Sequence, residues 1–298
     1  MTNVENFMKP QNDLVFKYLF GVDEHKDILA DFLKAVLPIS DDDLVDLTIK
    51  DPHLIPHSEE ENLGILDILV ETQSSFIDVE IQLNPTRHFR RRIAYYNAKM
   101  FTQQNVPKSY NLRRAISIII TNFPLLPKEQ PFHAVFEMRE RTTHYKFSDV
   151  MEYNIIDLTK LPKSCDATPL WSWAKFLKAT RKEDITMIEG TNAAIEKAIA
   201  ELDKLRSNPE LRSKYERREK SLMDYINGMT GAREDGFEEG EAKGRKEGRE
   251  EGREEGREEI ITIFQALQAG KSHEEIAAEA SVSIEKVQEI KNLFNKIS

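Results

Sequence analysis

The sequence predicts an α/β protein of the α+β kind, with a mixed sheet and a helical C-terminal extension. Three observations carry this. The stretch "SSFIDVEIQL" alternates Ile77, Val79, Ile81 and Leu83 with Asp78, Glu80 and Gln82, the period of two expected of a half-buried strand. "RAISIIITNF" is a short β-branched run bounded by polar residues, the pattern of a strand buried on both faces. Apolar residues at helical spacing bracket both, in "EHKDILADFLKAVLP" before them and "GTNAAIEKAIAELDKL" after them.

In chain order, Asn12 can cap a short helix "DLVFKYLF" that Gly21 ends, and a second helix stops at Pro38. "DLVDLTIKDPHLIP" reads as a strand entering a loop, and "GILDILVETQSSFIDVEIQL" as two strands around the turn-prone "TQSS". A basic helix follows, "TRHFRRRIAYYNAKMFTQQ", then the buried strand, then further extended segments in "HAVFEMRERTTHYKFSDVMEYNIIDL". The order is helix, three strands, helix, strand. Beyond about Leu161 the pattern turns helical, with Trp171 and Trp173 expected in the core.

A chain of 298 residues with 40% hydrophobic content is long enough for one full-sized core and an appendage. Its longest apolar run, around Ala115 to Ile120, is far below the roughly 18 to 20 residues of a membrane-crossing helix. The N-terminus lacks a basic region followed by an apolar stretch, so no membrane association and a cytoplasmic location are expected. A single cysteine, Cys165, excludes an internal disulfide framework and a cysteine zinc cluster, and reads as a small hydrophobe. His53 and His57 are four apart, but Pro56 breaks the helix that would align them and no further ligand is evident, so zinc is not expected.

The formal net charge of −10 argues against nucleic acid as a partner, but the average hides a block. No Asp or Glu lies between Glu80 and Glu129, while Arg87, Arg90, Arg91, Arg92, Lys99, Lys108, Arg113, Arg114 and Lys128 do. Arg92 and Tyr96 are one helical turn apart, as are Arg91 and Tyr95, so the basic helix can set arginine beside an aromatic on one face. Arginine forks suit phosphate, which points to DNA. At least one of the tyrosines is expected to pack on the sheet.

If the hairpin turn centres on Ser74 and Ser75, Asp67 lies opposite Gln82, Leu69 opposite Glu80 and Glu71 opposite Asp78. The opposite face, with Leu66, Ile68, Val70, Ile77, Val79 and Ile81, is core and pins the faces. Acids at alternate positions are ordinary on a wet sheet face. Asp67 stands apart because its strand neighbours are apolar, and it can converge with Glu80 on one cation. Such oxygen ligands suit Mg²⁺, or a similar ion such as Ca²⁺ or Mn²⁺, in the metal chemistry of phosphodiester hydrolysis.

Taken together, "NDLVFKYLFG", "LDILVET", "FIDVEIQ" and "RRIAYYNAKM" give a sequence that resembles the PD-(D/E)XK nuclease superfamily. Within it the chain is most similar to the Rpn family of recombination-promoting nucleases, or putative transposases, from roughly Lys9 to Asn227. The resemblance implies a restriction-endonuclease-like αβββαβ core over residues 1–165, metal-dependent cleavage of DNA, and a role in recombination or element mobility. By position it makes Asp67 and Glu80 the metal ligands, puts Gln82 in the place of the superfamily's lysine, and sets Asp13 near the site. Gln82 can hydrogen-bond water but brings no charge, a role that Arg92 or Lys99 could fill. DNA contacts are expected at Arg91, Arg92, Tyr96 and Lys99. The competing reading is a non-catalytic DNA-binding or assembly protein on a decayed nuclease fold.

Residues 166–232 are expected as a helical extension packed on the core. Over 233–259, Gly236, Gly240, Gly244, Gly248, Gly252 and Gly256 recur four apart. Each glycine costs an isolated helix about 1 kcal/mol relative to Ala, and like charges stack at i, i+4. A second helix on the glycine line could compensate both, which points to a homo-oligomer, with a charged linker as the alternative. Residues 260–298 resemble a helix-turn-helix, with a capping box at Ser272 and Glu275 and a second helix capped by Ser283. That second helix has no basic face, so packing or dimerisation is expected of it before base recognition.

Overall fold

The first helix forms where its sequence supplies both a cap and an apolar face. The computed structural model describes residues 7–54, 64–105, 108–164 and 168–295; His57 and Cys165 lie outside them. Helix α1 (Asp13–Phe20) begins at Asn12, whose side chain accepts from the Leu14 N–H and so satisfies a donor that the helix start leaves open. It ends at Gly21, where a Cβ would stand 2.7 Å from the Lys17 carbonyl oxygen. Helix α2 (Lys26–Val36) buries Ile28, Leu29, Phe32 and Leu33, and a short α3 (Asp41–Leu44) follows with Ser40 as its cap.

Strand β1 (Thr48–Lys50) joins the main sheet, whereas β2 (His53–Leu54) and β3 (Gly64–Ile65) form a separate ribbon. Strands β4 (Ile68–Glu71) and β5 (Ser75–Gln82) make the central hairpin. Helix α4 (Phe89–Thr102) then leads to β6 (Arg114–Thr121), parallel to β5. Strands β7 (His133–Arg139) and β8 (Lys146–Asp157) form a second hairpin whose β8 runs parallel to β6. The mixed sheet therefore has the order β1-β4-β5-β6-β8-β7, and helix, three strands, helix, strand follow one another as expected. Ile116, Ile118 and Ile120 of β6 join the large core with α1 and α2, while Ile119 on its other face packs with Phe89 and Ile93 of α4. Strand β6 is thus buried on both sides, as its composition requires.

The hairpin register differs by two residues from the expected one. Leu69 faces Asp78 and Glu71 faces Phe76, so the loop is Gln73-Ser74, closed by the Thr72 N–H donating to Ser75 O at 2.9 Å. Asp43 of α3 is the reason: its carboxylate accepts from the Ser74 N–H and Ser74 Oγ, both at 2.7 Å, which holds that loop. A shift of two keeps every side chain on its expected face, because the strand period is two. Continued by one residue, the ladder sets Asp67 across from Glu80.

Helices α5 (Pro169–Lys178) and α6 (Ala193–Ser207) complete the large core. Trp171 and Trp173 are buried, Trp173 edge-on to Phe20, Phe32 and Phe176. Helix α7 (Pro209–Gln268) follows, and the chain divides into two compact units, 1–220 and 221–298. In the first unit Tyr215 of α7 is buried, and its hydroxyl accepts from the Lys9 N–H. In the second, Ile263 of α7 packs with Ile276 of α8 (His273–Glu279) and Val287 and Ile290 of α9 (Ile284–Asn295). The Ser272–Glu275 capping box forms, Ser281 turns through a left-handed φ of 55°, and Ser283 Oγ accepts from the Lys286 N–H. The glycine repeat is helical, and a Cβ at any of its six glycines would meet nothing within 4 Å. Among the described residues no helix is long and apolar enough to cross a membrane.

Candidate active site

Three acids of the central hairpin share the face that α4 covers. Asp67 lies just before β4, half-buried, with its Oδ2 accepting from the Ile81 N–H at 3.1 Å. That bond fixes the carboxylate against β5. Glu80 is buried, and its Oε2 has no hydrogen-bond partner. Asp78, two residues earlier on the same face, is also buried, with an unpartnered Oδ1. Burial raises the Glu80 carboxyl, against the lowering effect of Arg92, and Asp67 adds to the rise. Burial raises Asp78 well above the usual carboxylate range, and Glu80 and Asp67 push it further. The cluster holds more negative charge than its surroundings compensate.

Two cations answer it from different helices. Arg92 of α4 donates through one Nη2 to Glu80 Oε1 at 2.8 Å and to Gln82 Oε1 at 2.9 Å, and its guanidinium lies 4.9 Å from the centre of the Phe89 ring. Gln82 in turn donates its Nε2 to Asn84 O at 3.0 Å. Lys17 of α1 places its Nζ 2.9 Å from Asp67 Oδ1. Sequence spacing did not point to Lys17; the one available signal was its position four residues after Asp13, on the same helix face. Asp13 itself is paired with Arg218 of α7, whose Nε donates to both carboxylate oxygens at 3.0 and 2.9 Å. That bond raises Arg218 above its ordinary range, and the field of Asp67 contributes.

The four residues expected to meet DNA are not equally placed. Arg91 is exposed, and Arg92 and Tyr96 are partly so. Lys99 is only 3% exposed, with its Nζ against the Tyr95 hydroxyl at 3.3 Å and 5.5 Å from that ring's centre. The expected DNA contact at Lys99 therefore falls on a side chain buried in the free chain: α4 turns its 93–97–100 face to the sheet, and Lys99 lies at the edge of that buried face. Tyr95 is 45% exposed and Tyr96 partly buried. His53, at the other end of the motif considered for zinc, hydrogen-bonds Asp51 on the surface.

The sequence profile of the PD-(D/E)XK nuclease family transposases matches residues 10–232. The chain belongs to this family. Comparison with curated proteins and with solved structures gives no match. Membership makes the first unit a nuclease-type fold, that of a hydrolase class that acts on DNA, and PD-(D/E)XK nucleases typically use divalent metal ions. The residues fit such an ion. Asp67, one residue before the paired stretch of β4, and Glu80, one residue after its end on β5, are hard oxygen donors, and Glu80 Oε2 is a buried acceptor without a partner. Among the described residues no group of three His, Cys, Asp or Glu side chains is placed to hold a metal.

Asp78 gives a direct check on the charge of this cluster. In protein freed of divalent ions, Asp78→Asn is expected to raise the unfolding free energy at neutral pH by about 1–3 kcal/mol, because the amide fills the same space without an ionisable group buried beside two other acids. The sign follows from the raised acid: below its ordinary value of 3.8 both folded and unfolded chains are protonated. As pH rises past that value the unfolded chain releases its proton first, so the wild type loses stability and the variant's advantage grows. Urea melts in EDTA across that range measure it, and a variant less stable at neutral pH would contradict it.

Proposed function

We propose that the chain is a Mg²⁺-dependent DNA endonuclease that hydrolyses phosphodiester bonds in recombination or in the movement of a mobile element. The supporting observation is the Asp67–Glu80 pair, set across one hairpin beside an arginine-bearing helix. These two residues would hold Mg²⁺, or Mn²⁺ or Ca²⁺ in its place. Such an ion polarises a phosphate and lowers the pKa of an attacking water. Arg92 keeps Glu80 and Gln82 in register through one nitrogen, and Gln82 Oε1 retains a second lone pair with which to orient water. Arg91, exposed on α4, and Arg92 with Tyr96 would face the DNA backbone. Asp13 would act from α1, on the face that carries Lys17. The compartment expected from the sequence is the cytoplasm.

Incubating purified protein with supercoiled plasmid, with and without Mg²⁺, tests this reading. Nicking that requires the ion is the expected result, and intact plasmid with every divalent ion tried would overturn it. The alternative, a non-catalytic DNA-binding or assembly protein, draws on Gln82, which is neutral and has both ends of its amide engaged. It predicts plasmid binding that divalent ions do not change, with no cleavage.

The glycine line of α7 supports self-association, since a Cβ on any of those glycines would meet nothing within 4 Å apart from its own helix backbone and chain neighbours, and a second helix could approach closely there. A partner's active site would supply the second cut of a double-strand break. Truncation after Gly231 is therefore expected to give a folded monomer that binds or nicks DNA but makes few double-strand cuts. Light scattering checks this: equal chain numbers for truncated and full-length protein would assign the repeat no role in assembly.

A further inference from the structure

Both carboxylates assigned to the ion are already neutralised from within the chain. Lys17 Nζ lies 2.9 Å from Asp67 Oδ1 and Arg92 Nη2 lies 2.8 Å from Glu80 Oε1. A divalent ion shared by Asp67 and Glu80 has to compete with these two cations for the same oxygens. The two are not equally fixed. Arg92 is tied to Glu80 and Gln82 and packed on Phe89, whereas the Lys17 side chain is 44% exposed at the end of a flexible stem. A Lys facing solvent is also a group that can meet a phosphodiester in DNA.

We propose that Lys17 is a displaceable counter-ion that makes metal binding and DNA binding interdependent. In the free protein it occupies Asp67 in place of the ion. When duplex arrives, its phosphate draws Lys17 away and leaves Asp67 free to take the ion together with Glu80. The coupling is reciprocal: whatever DNA adds to metal affinity, the metal adds to DNA affinity. The site then carries a bound ion chiefly when substrate is present. This rests on the assignment of Asp67 and Glu80 as metal ligands.

The test is calorimetric titration of Mn²⁺ into full-length protein, alone and with a short phosphorothioate duplex that resists cleavage. Wild type is expected to bind Mn²⁺ about tenfold more tightly with duplex, within the range typical of coupled sites. Lys17→Gln is expected to tighten Mn²⁺ binding to the free protein by about fivefold to tenfold and to shrink the gain that duplex brings, whereas Lys17→Arg keeps wild-type behaviour. If Lys17 merely steadies α1, Lys17→Gln lowers the melting temperature and leaves Mn²⁺ affinity unchanged or weaker, which overturns the proposal. Equal Mn²⁺ affinity of wild type with and without duplex, a measurement that needs no variant, overturns the coupling while leaving the nuclease reading in place. Absence of Mn²⁺ binding under both conditions overturns both.

Discussion

Asp67→Ala is expected to abolish cleavage, lowering the rate on the order of 10³-fold, or about 4 kcal/mol in barrier, while the protein still binds DNA when divalent ions are absent. The carboxylate is one of the two oxygen donors proposed for the ion, and its bonds go to the Ile81 N–H and Lys17 rather than to Arg91, Arg92 or Tyr96 of α4. Its loss also removes the acceptor of the Ile81 N–H and the partner of Lys17, which costs folding stability. Against this, it relieves the charge that Asp67 imposes on Glu80 and Asp78. A small net change in melting temperature is therefore expected beside a large loss of activity. Plasmid cleavage and fluorescence anisotropy on the same preparation separate the two. Unchanged cutting by the variant would remove Asp67 from the site.

Arg92→Ala is expected to lower stability by about 3 kcal/mol at neutral pH. The arginine is partly exposed, but its partner Glu80 has a side chain only 8% exposed, and a buried carboxylate stripped of its counter-charge keeps the whole cost of desolvation. Gln82 loses its donor in the same step. Arg92→Lys restores the charge but replaces the planar guanidinium packed on Phe89 with a compact head on a flexible stem, so partial recovery is expected. Chemical denaturation of the three proteins measures this. If Arg92→Ala proves as stable as wild type, Glu80 is not held as an ionised group by Arg92. Any weakening of DNA binding that remains in folded variant should be uniform across sequences with a flatter dependence on salt, as for a phosphate contact.

Part of this site was legible from short stretches of chain. The alternation of Asp78, Glu80 and Gln82 with Ile77, Val79 and Ile81 fixes which side chains share a face, whatever the register, because the pleat repeats every two residues. The β-branched run of β6 implies cover on both sides, and it has it. The caps at Asn12, Ser272 and Ser283 form as read, since a cap depends on groups within three residues of one another.

What only the tertiary structure decided involves residues far apart in the chain. The hairpin loop is held by Asp43, on a short helix about thirty positions before it, and the two-residue shift in register moves Asp67 away from Gln82 and towards Glu80. Lys17 reaches Asp67 from α1, and Arg218 reaches Asp13 across 205 positions. The basic block marked Lys99 and Arg91 alike, yet the roll of α4 on the sheet buried one and exposed the other. Local sequence determines period, capping and charge, because those depend on bonds and clashes between near neighbours. Which cation meets which carboxylate depends on how helices seat on the sheet, and that is settled by the packing of the whole core.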